Sequence, residues 1–231
     1  MPTFRYEKRL FKKGHKLIAG VDEVGRGCFA GPLVTGCVVF GPEFKSPATS
    51  GIIINDSKKM SPNQRENSNA WIKENAESWG IGEVSAQKIN RMGMAKAAKI
   101  AFRMAISQAR GRLGKPIDFL LADAFFISYV PGLPAKRRKD KKGRYYKKTN
   151  GRQLAIINGD EKSFSIAAAS IVAKAHRDKL MQNLSLRPKY KKYGWGENKG
   201  YGTRKHGNAI KKYGITRQHR KAFVNTWLLK S

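Results

Sequence analysis

Two adjacent carboxylates, Asp22 and Glu23, follow a short apolar run near the start of the chain. This run, residues 17–21, predicts a buried strand, so the two carboxylates come at one edge of a sheet. Neighbouring carboxylates repel each other unless a cation lies between them, and divalent ions with oxygen ligands suit that position. The alternative interpretation is a strand end at which the pair starts a turn and is simply solvated.

Two further carboxylates lie where a fold could bring them to the same place. Asp123 is in a second apolar run, residues 117–126, which follows a long predicted helix. A helical crossover makes this strand parallel to the first and brings Asp123 to the same edge. Asp178 lies within a predicted helix over residues 163–184. An aspartate in mid-helix usually faces solvent, and Lys174 one turn earlier offers it an ion-pair partner.

Four carboxylates in one place would need cations, and Mg²⁺ or Mn²⁺ prefers carboxylate oxygen. Two such ions could stabilise the attacking and leaving oxygens of an in-line displacement at a phosphodiester. This predicts a hydrolase with a polyanionic substrate. One geometric condition applies, because side chains alternate along a strand. Asp22 and Glu23 reach one site only if the strand bends or ends between them, and Gly25 allows this.

The charge of the chain indicates a nucleic-acid partner. Its 231 residues include 47 Lys and Arg against 16 Asp and Glu, a net charge of +31. Aromatic residues alternate with cations after residue 187, which suits stacking on bases or sugars beside phosphates. The basic stretch 135–152 is either a solubilising surface or a phosphate contact. Charge alone would equally favour a non-catalytic RNA-binding protein.

No apolar run approaches the ~18 residues of a membrane span, and no secretory signal is recognisable. The two cysteines, Cys28 and Cys37, lack metal-ligand spacing and are expected to be buried and reduced. We therefore expect a cytoplasmic protein with no membrane partner. Nothing in the sequence suggests more than a monomer.

The order of elements predicts an α/β protein. Residues 1–16 are expected to be weakly ordered, and Ser61 and Pro62 to open a helix that reaches residue 79. A single helix is expected over 89–112, with an apolar face formed by Met92, Ala95, Ile100, Met104 and Ala105. Strands are predicted at 17–22, 32–40, 79–85, 117–126 and 153–158. We expect a catalytic core over 1–186 and a helical, basic C-terminal appendage over 187–231.

Five sequence blocks together resemble the ribonuclease HII family. They occur in the family's order and at similar spacing, and the resemblance covers about residues 17–223, which makes it specific. The glycine-arginine-glycine of the first block is absent from the related ribonuclease HIII. The five blocks are residues 22–27 with Gly31 and Pro32, residues 55–59, residues 159–163, residues 166–178 and residues 199–203.

The resemblance implies a ribonuclease H fold, with a mixed five-stranded sheet flanked by helices. It also implies a Mg²⁺- or Mn²⁺-dependent endonuclease that uses two ions. Such an enzyme cuts 5′ to ribonucleotides in RNA/DNA hybrids and in duplex DNA with embedded ribonucleotides. It leaves 3′-hydroxyl and 5′-phosphate ends, and it removes misincorporated ribonucleotides and RNA primers.

The resemblance also implies roles for individual residues. Four carboxylates match the family's catalytic, metal-binding positions, namely Asp22, Glu23, Asp123 and Asp178. The loop Gly25, Arg26 and Gly27 matches the motif that senses the 2′-hydroxyl, and Tyr201 matches a tyrosine that packs on the next deoxyribose. Further polar contacts with substrate are implied at Ser57, Lys58 and Lys162.

Two departures from the family pattern are visible. The family usually has glycine after its third carboxylate, where this chain has Ala124, which raises a question about the local backbone. The basic stretch 135–152 is also longer than expected. A nuclease of the same fold that acts on DNA without ribonucleotides is a further alternative.

Overall fold

The computed structural model describes residues 1–45, 51–133 and 151–229, together with two short paired strands at 138–139 and 145–146. Most of the basic stretch 135–152 lies outside the described residues. Its proposed contact with phosphates therefore stays a prediction.

A five-stranded mixed sheet forms the centre of the fold. Its strands are β1 (Ile18–Val24), β2 (Leu33–Phe40), β3 (Ser78–Val84), β4 (Phe119–Asp123) and β7 (Gln153–Ile156), while the short strands at 138–139 and 145–146 are β5 and β6. The spatial order is β3-β2-β1-β4-β7. β1 and β2 form an antiparallel hairpin, β3 pairs antiparallel with β2 after the intervening helix α2 (Pro62–Asn75), and β1, β4 and β7 run parallel. The predicted hairpin and the parallel crossover to β4 are confirmed.

Ten helices are described. They are α1 (Arg5–Phe11), α2 (Pro62–Asn75), α3 (Ala86–Met92), α4 (Met94–Leu113), α5 (Gly159–Lys162), α6 (Phe164–Ser185), α7 (Pro188–Lys191), α8 (Trp195–Asn198), α9 (Arg204–Tyr213) and α10 (Lys221–Leu228). Ser61 caps α2 as predicted, with Gln64 completing a capping box. α2 ends at Asn75 rather than at residue 79, because the chain turns there into β3.

Helices α4 and α6 cover opposite faces of the sheet, and glycines allow both to approach closely. A Cβ atom at Gly20 or Gly36 would lie 2.1 Å from backbone atoms of α6, nearer than real Cβ atoms ever come. Gly80 and Gly82 of β3 face α4 in the same way. The backbone of α6 therefore packs directly against β1 and β2, which fixes its side chains relative to the end of β1.

The predicted helix over 89–112 is wrong in two respects. Gly93, with φ +79°, divides it into α3 and α4. Met104 is 45% exposed and Ala95 is exposed, so of the expected apolar face only Ala105 is fully buried. The helix buries a face rich in alanine, because the backbone at Ala101, Ala105 and Ala109 lies directly against the glycines of β3. That face consists of Ala97, Ala98, Ala101, Phe102, Ala105, Ile106 and Ala109.

The expectation of a weakly ordered N-terminus is also wrong. Thr3 pairs with the start of α6 through backbone hydrogen bonds to Lys162 and Phe164. Glu7 on α1 is fully buried, and its Oε1 accepts hydrogen bonds from the Ser163 hydroxyl and from both the amide and the hydroxyl of Ser165. The N-terminal segment therefore holds the turn that leads from β7 into α6.

The C-terminal segment packs on α6 through a second, aromatic cluster. Its largest buried members are Tyr190, Tyr193 and Trp195, which contact Met181 of α6 and Ala30 of the loop after β1. Division of the chain at residue 187 remains a prediction. No helix in the described ranges is long and apolar enough to cross a membrane.

The contacts of Glu7 predict a stabilising role for α1. Glu7→Ala removes the acceptor of three buried hydrogen bonds and should lower the free energy of unfolding by about 2 kcal/mol or more. Urea denaturation measures the difference, and Glu43→Ala, at an exposed position, is the matched control. Equal midpoints for the two variants would contradict the docking of α1.

Candidate active site

A cavity opens where the parallel strands β1 and β4 separate. Their ladder stops at the pair Val21 and Ala122. Beyond that pair β1 continues along β2, whereas β4 continues along β7 as far as Asp123. The cavity measures about 270 Å³ and is lined by Asp22, Glu23, Val24, Gly25, Arg26, Gly27, Ser57, Lys58, Asp123, Asp160, Ser170, Lys174 and Tyr201.

Asp22 is the most deeply buried carboxylate of the cavity. It faces α6, whose Ser170 hydroxyl stabilises the charged form by a hydrogen bond. Burial nevertheless raises the pKa of Asp22 well above its usual value, and the neighbouring Glu23 raises it further. An anionic Asp22 therefore requires a cation nearby.

Glu23 reaches the same cavity although β1 neither bends nor ends between Asp22 and Glu23. The strand pairs regularly with β2 as far as Val24. Because β4 no longer flanks β1 beyond Val21, the side chains of both faces reach the open edge. Burial raises the pKa of Glu23, and a 2.9 Å ion pair with Arg26 opposes that shift.

Asp123 and Asp160 complete the carboxylates of the cavity. Asp123 ends β4, and its Oδ1 accepts a 2.7 Å hydrogen bond from the Gly159 amide. Asp160 is buried in α5, directly after β7, and its Oδ2 lies 3.6 Å from Nζ of Lys58. Burial raises the pKa of Asp160, and Lys58 opposes the shift.

Sequence reasoning missed Asp160, although a usable signal was present. The residue follows a short predicted strand, β7, that lies parallel to β4. The same argument that placed Asp123 at the carboxyl edge of the sheet therefore applies to Asp160. Ser170 and Lys174, one helical turn apart on α6, were also missed as members of the cavity.

Asp178 does not line the cavity, which corrects the expected convergence of four named carboxylates. Its Oδ1 accepts a 2.7 Å hydrogen bond from Lys174, and its Oδ2 a 3.0 Å hydrogen bond from Arg65 of α2. Asp178 lies one helical turn beyond Lys174 on the same face of α6, just past the residues that line the cavity. The simpler interpretation, an ion pair one turn along the helix, is the one observed.

Lys162 is likewise outside the cavity. It is exposed on α5, and its ammonium donates to the carbonyl of Ile157. The other predicted substrate contacts do line the cavity. Ser57 is buried with its hydroxyl 3.0 Å from that of Ser170, whereas the Lys58 side chain is 70% exposed at the rim.

Tyr201 stands at the mouth of the cavity, 36% exposed. Burial raises the pKa of its phenol to about 12, so the hydroxyl stays protonated near neutral pH. A histidine on α9 hydrogen-bonds to the backbone of Tyr201. His206 Nε2 accepts a hydrogen bond from the indole of Trp195, so the proton is on Nδ1, which donates to the Tyr201 carbonyl at 2.8 Å.

The donor set of the cavity fits a hard divalent cation, because all four acidic groups offer oxygen. Within residues 1–45, 51–133 and 151–229, no three acidic, histidine or cysteine side chains already converge as a closed metal cage. The carboxylates instead surround an open cavity. Asp22, Glu23 and Asp160, whose pKa values burial raises, are the groups that a cation would stabilise in their charged form.

Comparison with known proteins identifies the family. A family model described as Ribonuclease HII matches residues 19–226. The chain belongs to the ribonuclease HII family. It is 40% identical to the Ribonuclease HII of Caldanaerobacter subterraneus subsp. tengcongensis over 219 residues, which are 95% of this chain and 78% of that protein. As a ribonuclease HII family member, the chain is an endonuclease that acts on RNA/DNA hybrids.

Solved structures confirm the ribonuclease H fold. The ribonuclease H2 of Pyrococcus horikoshii OT3 superposes with a TM-score of 0.63 at 24% identity, over 93% of this chain and 98% of that one. Bst-RNase HIII in complex with Mn²⁺ superposes with a TM-score of 0.61 at 16% identity, over 94% and 70% of the two chains. These similar scores mean that sequence, not fold, separates ribonuclease HII from ribonuclease HIII. The family depends on divalent metal.

Ala124 occupies the position where the ribonuclease HII family usually has glycine. Its φ of +56° lies in the left-handed region that glycine favours, and its amide donates to the Ile156 carbonyl at 2.8 Å. The chain thus keeps a glycine-like backbone after Asp123 with an alanine. An alanine in this region is strained by roughly 1–2 kcal/mol.

This strain predicts that Ala124→Gly stabilises the protein. The gain should be about 0.5–1 kcal/mol, because the greater freedom of glycine in the unfolded chain offsets part of the relief. Ala70→Gly, at an exposed position within α2, should instead destabilise by about 1 kcal/mol. Thermal unfolding of both variants measures whether each substitution raises or lowers the stability. A loss of stability in both variants would contradict the strain at Ala124.

Proposed function

We propose that the cavity at the carboxyl edge of the sheet hydrolyses the phosphodiester 5′ to a ribonucleotide, in RNA/DNA hybrids and in duplex DNA with embedded ribonucleotides. The products would carry 3′-hydroxyl and 5′-phosphate ends. One observation carries the proposal. In a chain of net charge +31, Asp22, Glu23, Asp123 and Asp160 meet in one cavity.

Asp22, Glu23, Asp123 and Asp160 would hold Mg²⁺ or Mn²⁺, and we propose two ions. The bound ions supply activation of a water molecule and stabilisation of the leaving oxygen. Asp160 replaces Asp178 in this set, because Asp160 lines the cavity and Asp178 is paired with Lys174 and Arg65.

Cations at the rim would position the scissile strand. Lys58 and Arg26 both line the cavity, and each is already paired with one of its carboxylates. Lys174 lies deeper, and burial lowers its pKa against the opposing effect of its hydrogen bond with Asp178. These three side chains offset the repulsion between a phosphate and the carboxylates, which would otherwise exclude the substrate.

The loop Gly25–Gly27 and Tyr201 would read the ribonucleotide. The 2′-hydroxyl is the group that separates RNA from DNA at a given position. The loop lines the cavity beside Tyr201, whose neutral phenol can donate a hydrogen bond and whose ring can pack on the next sugar. We further propose a monomeric, cytoplasmic enzyme that removes misincorporated ribonucleotides and RNA primers.

The reaction is tested with a DNA duplex that contains one ribonucleotide. We expect one metal-dependent cut, 5′ to the ribonucleotide, and none in an all-DNA duplex of the same sequence. Chelation of the metal or Asp22→Asn should abolish cutting. Gel analysis of end-labelled strands reports both the position and the ends.

Equal cutting of both duplexes would support nuclease activity but would contradict recognition of the 2′-hydroxyl. It would favour an enzyme that acts on DNA without ribonucleotides. Binding without cutting in Mg²⁺ and in Mn²⁺ would overturn the proposed chemistry in this chain.

Two matched substitutions test whether Asp160 or Asp178 is the fourth catalytic carboxylate. Asp160→Asn should lower the cleavage rate at least about a hundredfold, because it removes a ligand from the cavity. Asp178→Asn should lower the rate less than about tenfold, since the residue acts only through its ion pairs. The rate of each variant is measured over a range of Mn²⁺ concentrations, and the reverse ranking would restore Asp178.

A further inference from the structure

Two buried arginines lie behind the loop that joins β1 to β2. Arg177 of α6 and Arg220, at the start of α10, are both fully buried. Their guanidinium groups donate to the carbonyls of five of the eight residues in the loop 25–32. Arg220 binds the carbonyls of Gly25, Arg26 and Gly31, and Arg177 binds those of Ala30 and Pro32 together with Lys199.

Arg220 is a costly residue in energetic terms. It forms no ion pair with any carboxylate of the described residues, and its Nη2 is buried without a hydrogen-bond partner. Burial lowers its pKa to about 10. A buried charge bound only to neutral carbonyls stabilises a fold less well than an apolar side chain of similar size. Its presence therefore points to a role beyond stability.

The contacts of Arg220 determine which way the peptide groups of the loop face. In a trans peptide, the carbonyl of one residue and the amide N–H of the next point in opposite directions. Arg220 Nη1 holds the carbonyls of Gly25 at 2.6 Å and of Arg26 at 2.9 Å. The N–H groups of Arg26 and Gly27 consequently point away from Arg220.

These two N–H groups have no acceptor within the part of the chain that the structure describes. Both residues line the cavity, whereas Arg220 does not. The loop therefore presents two adjacent free donors on its exposed side. Such a pair suits an oxygen-bearing group of the substrate.

We propose that Arg220 is the positioning residue that gives the loop its preference for a ribonucleotide. It does so by turning the carbonyls of Gly25 and Arg26 inward, which leaves the Arg26 and Gly27 amides free to meet the sugar hydroxyl or its phosphate. The inference rests on the proposed reading of the 2′-hydroxyl by this loop. Arg220 itself touches no substrate.

Lysine cannot reproduce this arrangement. Its ammonium is a point charge, whereas the guanidinium is a rigid fork that spans three carbonyls at once. Arg220→Lys keeps the charge and most of the volume but releases at least one of the two peptide groups. Discrimination between sugars should then fall, while general attraction to the phosphate backbone persists.

The test measures binding to two duplexes that differ by a single 2′-hydroxyl. Fluorescence anisotropy is recorded in the Asp22→Asn background, so that bound duplex stays intact. We expect the parent to bind the ribonucleotide duplex about tenfold more tightly, as one or two added hydrogen bonds would give. Arg220→Lys should bring this ratio to within about twofold of one and leave the affinity for the all-DNA duplex within about twofold of the parent's.

Arg110→Lys is the matched control, because Arg110 also donates to a backbone carbonyl, that of Pro131, on the opposite face of the sheet. It should leave the ratio unchanged. Arg220→Ala with added methylguanidinium is the second variant, and the added cation should restore the preference. A circular dichroism melt checks that each variant is folded.

An unchanged ratio in Arg220→Lys would overturn the inference. So would a parallel loss of affinity for both duplexes, which is what a merely structural role would produce. A parent that shows no preference between the duplexes would instead overturn the proposed reading of the 2′-hydroxyl, and this result appears before Arg220 is altered.

Discussion

The repulsion among four carboxylates governs the rest of this structure. Asp22, Glu23, Asp123 and Asp160 come together where two parallel strands separate, and burial makes their charges costly. Neighbouring groups share this cost. A serine hydroxyl on α6 stabilises Asp22, the first backbone amide of α5 stabilises Asp123, and cations at the rim stabilise Glu23 and Asp160. These groups leave part of the repulsion between the carboxylates uncompensated. A bound divalent metal ion would offset that remaining repulsion.

The position of helix α6 on the sheet determines the geometry of the cavity. The helix carries Ser170 and Lys174 into the cavity, and its backbone lies directly on Gly20 and Gly36. A side chain at either glycine would push the helix outward and withdraw both groups from the end of β1. The dense packing around α6 therefore serves the geometry of the cavity as well as the stability of the core.

Strand ends were the part of the site that the sequence could predict. Asp22 and Asp123 each follow an apolar run, and the direction of the strands brings them to one edge. Asp160 obeys the same rule, but its strand is short, and a turn at Ile157 and Asn158 separates that strand from Asp160. Asp178 belongs to a matching sequence block, but it lies one turn beyond Lys174 on α6, where it pairs with Lys174 and with Arg65 of α2. Sequence alone does not show the contact with Arg65, because the two residues are 113 positions apart.

Other features depend on contacts between distant segments, which no local pattern reports. The buried face of α4 is set by the glycines of β3, so the larger methionines that hydropathy favours stay outside. Residues 1–16 have no apolar pattern that predicts order, yet one buried glutamate, Glu7, anchors the N-terminal helix to α6. In both cases the deciding partner lies tens of residues away along the chain.

The hydrogen bonds between Arg220 and the loop after β1 also have a consequence for folding. They join residues 189 to 195 positions apart, among the most distant in the chain. The entropy cost of closing a loop grows with the separation of its ends, so contacts this distant are expected to form late in folding. The sheet with its carboxylates can assemble from earlier segments, whereas the loop beside them is set last. We therefore expect the acidic part of the candidate site to form first during folding, and the loop 25–32 to complete it.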